Sequence, residues 1–210
     1  VNPNTGACYY AGLGDATGSL NGVGVLKGRF SGTSFAWTDR AAARTASYST
    51  AFLDKEWIAL DPASGRVYLT YSTFANGVDR IEFQAADSSI TAWSSPLKIS
   101  ADAEDGYVQA SRPVVGPGGV VYVAYYGIGL VDADYVRFAR STNGGASFSA
   151  PVNAVSFFSN YGTGAPGCNR DSPIPNFPSV AVDRSTGPHA GRIYLAWAEC
   201  LNWFDDTGSA

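Results

Sequence analysis

Carboxylates, arginines and flat rings gather in a few short stretches of this sequence. Asp54-Lys55-Glu56 is one; Asp102, Glu104, Asp105 and Tyr107 form a second, followed closely by Arg112; Tyr161, Arg170 and Asp171 form a third. Phe74, Tyr126, Trp203 and Phe204 are aromatics of the kind that stay accessible. Rings beside carboxylates and an arginine suit a sugar, whose C–H faces stack on an aromatic while its hydroxyls take hydrogen bonds. The candidate catalytic residues are therefore Asp54, Glu56, Tyr107, Arg112 and Arg170. The candidate ligand-binding residues are Phe74, Asp105, Arg112, Tyr126 and Trp203. Asp54, Glu56 and Asp105 could together hold Ca²⁺, a hard cation that takes oxygen ligands. No other cofactor is implied.

These stretches sit at fixed places in a chain that repeats. Gly65-Arg66-Val67-Tyr68-Leu69-Thr70-Tyr71 returns as Gly119-Val120-Val121-Tyr122-Val123-Ala124-Tyr125, then as Gly191-Arg192-Ile193-Tyr194-Leu195-Ala196-Trp197. Before them come Ile58-Ala59-Leu60-Asp61, Pro113-Val114-Val115-Gly116 and Val180-Ala181-Val182-Asp183. Trp93-Ser94-Ser95-Pro96-Leu97 recurs as Phe148-Ser149-Ala150-Pro151-Val152. Tyr68 and Tyr122 are 54 residues apart, Ile58 and Val114 are 56, and Trp93 and Phe148 are 55. A period of this size built of short strands predicts an all-β fold, a β-propeller with one four-stranded antiparallel blade per repeat. Strands are expected at 57–60, 66–71, 80–84 and 96–99, then at 113–115, 120–125, 134–139 and 151–155. Turn residues such as Asn76-Gly77 and Asn143-Gly144-Gly145 separate them. The second strand of each repeat is almost continuously apolar, which suits a strand covered on both faces by stacked blades. A sandwich would more often alternate, with one wet face.

In a propeller, the loops that enter the innermost strands and those joining second to third strands gather around a central channel. Here these would be 45–56, 101–112 and 156–176, with 72–79, 126–134 and 199–206, and most of the candidates above fall in them. Each candidate also has a plainer role. Asp54 and Glu56 would be a solvated rim, Arg112 a channel-lining ion-pair partner, and Trp203 and Phe204 packing for a next blade. Asp61 and Asp183 are expected to shape strand turns, and His189 to be an exposed turn residue.

The repeats divide the chain into blade remnants at 1–50, whole blades at 51–105 and 106–160, and the first half of another at 171–210. Phe35-Ala36-Trp37 takes the place of Trp93 in the first of these. Rings of roughly four to eight blades are usual, so further blades, in the same polypeptide or another chain, are an expected partner. An open sheet edge would otherwise invite aggregation.

Composition narrows the partners. The chain has 210 residues, 45% of them hydrophobic and 13% aromatic, enough for a sizeable core. A net charge of −4 with no basic run argues against nucleic acid. The longest apolar run, 120–131, is too short and too glycine-broken to span a bilayer. Only 15% of residues are charged, and methionine is absent. With abundant Gly, Ser, Thr, Ala and Tyr, that composition reads as a secreted or cell-surface protein of bacterial type. Of three cysteines, Cys168 and Cys200 flank the last repeat, and a bridge between them would contribute roughly 3 kcal/mol. Three pairings are possible, all three thiols being reduced is a fourth outcome, and no partner is evident for Cys8. One histidine and no Cys-x-x-Cys exclude a zinc site.

Ser141-Thr142-Asn143-Gly144-Gly145-Ala146-Ser147-Phe148 resembles the Asp box, Ser-x-Asp-x-Gly-x-x-Trp, of the sialidase and bacterial neuraminidase repeat family, with Asn143 for the aspartate and Phe148 for the tryptophan. In that family the box joins the third and fourth strands of a blade and lies away from the active site. Asp54–Asp61 and Phe177–Asp183 also look like the family's inner-strand openings. The resemblance implies a secreted propeller that binds a glycan or serves as a surface scaffold. Alternatively, it implies an exo-α-sialidase-type glycoside hydrolase, or a structural subunit of an extracellular assembly. Such hydrolases clamp a substrate carboxylate with three arginines and use a tyrosine nucleophile with a glutamate, and an aspartate acid/base. Arg112-Pro113 is similar to the family's Arg-Ile-Pro opening without its middle residue, and Arg170 is a second candidate arginine. No third arginine and no Glu–Tyr pair can be assigned.

Overall fold

The computed structural model describes residues 1–16, 18–129, 133–157 and 177–199. Four antiparallel sheets follow one another along the chain. The first holds β1 (Cys8–Ala16), β2 (Leu20–Ser31) and β3 (Ser34–Ser47). The second runs in order from β4 (Phe52–Leu60) through β5 (Val67–Ala75) and β6 (Val78–Ala86) to β7 (Leu97–Lys98). The third does the same with β8 (Val108–Val115), β9 (Val121–Gly127), β10 (Asp134–Ser141) and β11 (Val152–Phe157). The fourth pairs β12 (Ser179–Val182) with β13 (Ile193–Ala196). This is a β-propeller of four-stranded blades, two of them complete, with the ring unclosed among the described residues.

Alternation explains why the second strand of each complete blade is apolar along most of its length. Successive residues of a strand point to opposite faces. Val67, Leu69 and Tyr71 of β5 pack backward with Val23 and Val25 of β2, whereas Tyr68 packs forward with Val121, Val123 and Tyr125 of β9. On β9, Ala124 and Tyr126 in turn face Phe177, Val180 and Leu195 of the last sheet. The core is thus a series of seams between sheets.

The third-to-fourth strand turns bind each blade to the one before. In 141–148, the Ser141 hydroxyl accepts the Gly145 N–H at 2.9 Å and the Asn143 side-chain oxygen accepts the Ser147 N–H at 3.0 Å. Gly145 has φ +86°, and a Cβ there would lie 2.4 Å from the Phe83 ring. Phe148 meets that ring edge-on, centroids 4.9 Å apart. In the preceding blade Ile90 stands where Gly145 does, with φ 58°. A β-branched residue is strained there, and full burial of its side chain holds it in place. Trp93, the counterpart of Phe148, packs on the seam with the first sheet. Trp37 occupies the same station on β3, but no described sheet lies behind it, and it is 48% exposed.

Two expectations about strand limits are corrected. β4 and β8 start at residues 52 and 108, whereas 57 and 113 were expected. Asp54, Glu56 and Arg112 therefore stand on innermost strands, outside the entering loops. The extra residues escaped a period-two reading because each strand carries a bulge. Phe35-Ala36-Trp37 is likewise part of a continuous fourteen-residue strand.

β1 is not an innermost strand. Asn4 donates to the Pro62 carbonyl at 2.7 Å and the Tyr9 hydroxyl to the Ser88 carbonyl at 3.1 Å. The start of β1 therefore lies beside the end of β4, and the two strands run in opposite directions. β1, β2 and β3 correspond to the second, third and fourth strands of a blade. No described helix is long and apolar enough to cross a membrane.

Candidate functional site

The channel wall is shaped by two matching irregularities. The β4–β5 register slips between Asp54 and Trp57, and the β8–β9 register between Gln109 and Arg112. Lys55 and Ala110, 55 residues apart, both sit at φ 54° in these bulges. Non-glycine residues rarely adopt that conformation, and they persist where the surrounding structure over-determines them. A bulge re-aims the side chain that follows it. Here the re-aimed residues are Trp57 and Arg112, which meet: the Arg112 guanidinium carbon lies 3.6 Å from the centroid of the Trp57 ring.

That stack is half-buried and 46% of Trp57 remains exposed. Burial pushes the Arg112 guanidinium down from its ordinary value, and Glu56 opposes the shift. Burial pushes the Glu56 carboxyl up; its own backbone N–H lowers it, Asp54 raises it, and the Leu13 N–H and Lys55 lower it. Asp54 is held by the Lys55 ammonium at 2.5 Å, and that ammonium also lies 5.8 Å from the Phe177 ring. No described hydrogen bond or ion pair engages the donor edge of Arg112. A guanidinium fixed by stacking, whose N–H groups meet no acceptor among the described residues, can receive an oxygen-bearing ligand.

The other expected residues are dispersed. Tyr107 is exposed and lines a separate cleft of about 420 Å³ with Ile128, Tyr135, Arg137 and Asn153. Glu104 of that cleft is a structural anchor: it accepts the Tyr125 hydroxyl and the Ala101 N–H, both at 2.8 Å, and pairs with Arg137. Asp105 pairs with Lys98 of β7 at 2.7 Å, away from Asp54 and Glu56. Among the described residues no three His, Cys, Asp or Glu side chains come together to hold a metal. Phe74 stands on β5, its ring 5.9 Å from Phe52, at the loop end of the first complete blade. Tyr126, expected to be accessible, is fully buried, with its hydroxyl bonded to Asp134. It lies in the seam with the last sheet because its face of β9 turns that way. Arg170, Trp203, Cys168 and Cys200 lie outside the described residues, as do Tyr161, Asp171 and Phe204; Cys8 is a free thiol. Asp61 and Asp183 do shape turns, accepting the N–H groups of Ala63 and Ser185 at 3.0 and 2.8 Å.

Sequence reasoning passed over Trp57 as a ligand residue, and passed over Asp79 and Asp134. The last two begin the third strands of the complete blades, 55 residues apart, a spacing that would have found them. Asp79 accepts the Val108 N–H at 3.1 Å, pinning the entry to β8. Asp134 accepts the Gly129 N–H at 2.8 Å. Asp79→Ala leaves the buried Val108 N–H unpaired and is expected to lower stability by about 1–3 kcal/mol in urea unfolding. Asp79→Asn separates charge from hydrogen bonding. Burial raises the Asp79 carboxyl pKa, so its ionised form is disfavoured in the fold. That contribution is full below the unfolded carboxylate value and is lost as pH rises through the folded one. The wild-type chain should therefore gain stability relative to Asp79→Asn as pH falls from neutrality toward the carboxylate range. A relative loss would contradict the assigned burial effect.

No protein-family model matches the chain, and no curated protein matches it in sequence. Among solved structures it resembles the Penicillium chrysogenum α-L-arabinanase complexed with arabinobiose, with a TM-score of 0.54 and 12% identity. The match covers 91% of this chain and 53% of that one, so the chain spans about half the length of this structural neighbour. At that identity the likeness shows the β-propeller fold alone.

Proposed function

We propose that this chain is part of a secreted, sialidase-like β-propeller that binds a glycan at its central channel, with Trp57 as stacking platform and Arg112 as oxygen anchor. The observation that carries the reading is the Arg112–Trp57 stack at 3.6 Å, with no hydrogen-bond or ion-pair acceptor on the guanidinium edge among the described residues. A sugar ring covers the exposed part of an indole while its hydroxyl or carboxylate oxygens meet the guanidinium. Support also comes from the Asp-box-like turn at 141–148 and from a structural neighbour solved with a saccharide. Titration with arabinobiose and with a sialyl-oligosaccharide, followed by tryptophan fluorescence, tests it. Saturable quenching is expected with at least one of the two, and its loss in Trp57→Phe. No saturable signal with either sugar, or an unchanged signal in the variant, would remove the reading.

A second reading, a glycoside hydrolase, has one observation in its favour. Glu56 is pushed up by burial two residues from Asp54, which the Lys55 ammonium holds. A carboxyl pushed up by burial is suited to donate a proton to a leaving group. Release of a chromogenic aglycone by the chain, lost in Glu56→Gln with saccharide binding retained, would establish it over the binding module.

A further inference from the structure

We propose a second saccharide site, on the face opposite the loops that enter the innermost strands: a cavity of about 620 Å³ that takes a neutral sugar through Lys27, Asp39 and Tyr9. The volume is ordinary for a small-molecule site. The cavity lies at the end of the seam between the first and second sheets, where β4 turns into β5. Pro62, Ala63 and Ser64 form one wall, and Lys27, Thr38 and Asp39 form the other. Asp54 and Glu56 belong to the opposite half of β4. The residues that flank the long undescribed stretches gather elsewhere. Phe157 and Phe177 both meet Tyr126, and Trp197 meets Phe157, two seams away.

Local hydrogen bonds build the walls. Asn2 donates its N–H to the Ala7 carbonyl at 2.7 Å and accepts the Gly6 N–H at 2.8 Å, which closes 2–7 into a loop. The Asn4 side chain fixes that loop to the second sheet through the Pro62 carbonyl. The Tyr9 hydroxyl reaches the Ser88 carbonyl, so its ring crosses from one sheet to the other. Lys27 gives the cavity its chemistry. β2 fills the seam with Val23 and Val25, and the same row of side chains continues as Lys27 and Arg29. The Lys27 side chain is a quarter exposed, and its ammonium stands 4.0 Å from the Asp39 carboxylate. It makes no hydrogen bond among the described residues. That gap is too long for a hydrogen bond, but it admits one oxygen about 2.8 Å from each group. The oxygen must accept from the ammonium and donate to the carboxylate, which a hydroxyl does and an anion does not. Burial, then Asp39, then Asp87 push the Tyr9 hydroxyl pKa up, so both carboxylates act on the cavity. They balance Lys27 and Arg29. Matched donors and acceptors beside an aromatic ring suit a polyol over an ion.

The test is a nuclear magnetic resonance titration of the 210-residue chain, as wild type and as Trp57→Phe, which removes the channel platform. The neutral probes are arabinobiose, cellobiose and maltose; glucuronate and inorganic phosphate are the charged ones. Saturable amide shifts are expected at residues 2–7 and 62–65 with at least one neutral disaccharide, equally in both chains. Lys27→Met keeps the apolar stem, removes the ammonium and should weaken that binding at least tenfold. Asp39→Ala should do the same. The wild-type shifts stand as a readout even if a variant does not fold. No saturable shift at these residues with any neutral probe overturns the proposal, and so does equal affinity in Lys27→Met. Larger shifts with glucuronate or phosphate also overturn it, since they mark an anion site. The channel reading is scored by Trp57 fluorescence, so either site can fail without the other.

Discussion

Replacing Phe83 by alanine is expected to destabilise the protein by about 3–5 kcal/mol, the range for removing a fully packed phenylalanine. Phe83 is 1% exposed and sits where the two complete blades meet. Its ring stacks on Tyr68 at 5.7 Å within its own blade and receives Phe148 of the next blade edge-on at 4.9 Å. It also fills the space against Gly145, where any Cβ would collide with it. Removing the ring leaves a cavity lined by groups from both blades, and neither side can collapse alone because Gly145 is fixed by its positive φ and by its bond to Ser141. Phe83→Leu should cost less than half as much. Urea unfolding monitored by circular dichroism measures both. A loss below about 1 kcal/mol for Phe83→Ala would mean that the seam is not the source of cohesion between the blades.

Arg112→Lys is expected to weaken binding of an acidic saccharide at least tenfold, about 1.4 kcal/mol, while leaving the melting temperature nearly unchanged. The substitution keeps a positive charge. It removes the planar group that lies over Trp57 at 3.6 Å and the fork of N–H donors that the stack orients. An ammonium on a flexible stem cannot reproduce either. Arg112→Ala should lose at least as much. Calorimetric titration against a sialyl-oligosaccharide, alongside thermal melts, reads both effects. Equal affinity in wild type and Arg112→Lys would reduce the arginine's role to that of a point charge.

The repeat made the architecture legible because blade stacking imposes a physical demand on composition. Val67, Tyr68, Leu69 and Tyr71 must be apolar to fill two seams, and so must Val121, Val123, Ala124 and Tyr125. The turn at 141–148 was legible for a similar reason, since small polar residues and a left-handed glycine are what its hydrogen bonds require. The site was less visible. Asp54, Glu56 and Arg112 could be named as residues able to do chemistry, but the bulges that aim them leave no periodic signature. Lys55 and Ala110 share a conformation and no chemistry. Trp57 read as strand filling because a tryptophan that stacks on a partner and one that packs in a core look alike in sequence. Tyr126 misled in the opposite direction, since its place on a buried face depends on Phe177, Val180 and Leu195, far along the chain.

The backward docking of Trp93 and Phe148 bears on how the molecule is made. Each of these rings closes onto a sheet whose residues leave the ribosome first. A nascent unit therefore meets a finished template as it emerges and does not wait for sequence still to be translated. Growth from the amino terminus, one sheet at a time, is the order in which such a chain keeps its apolar seams covered during synthesis.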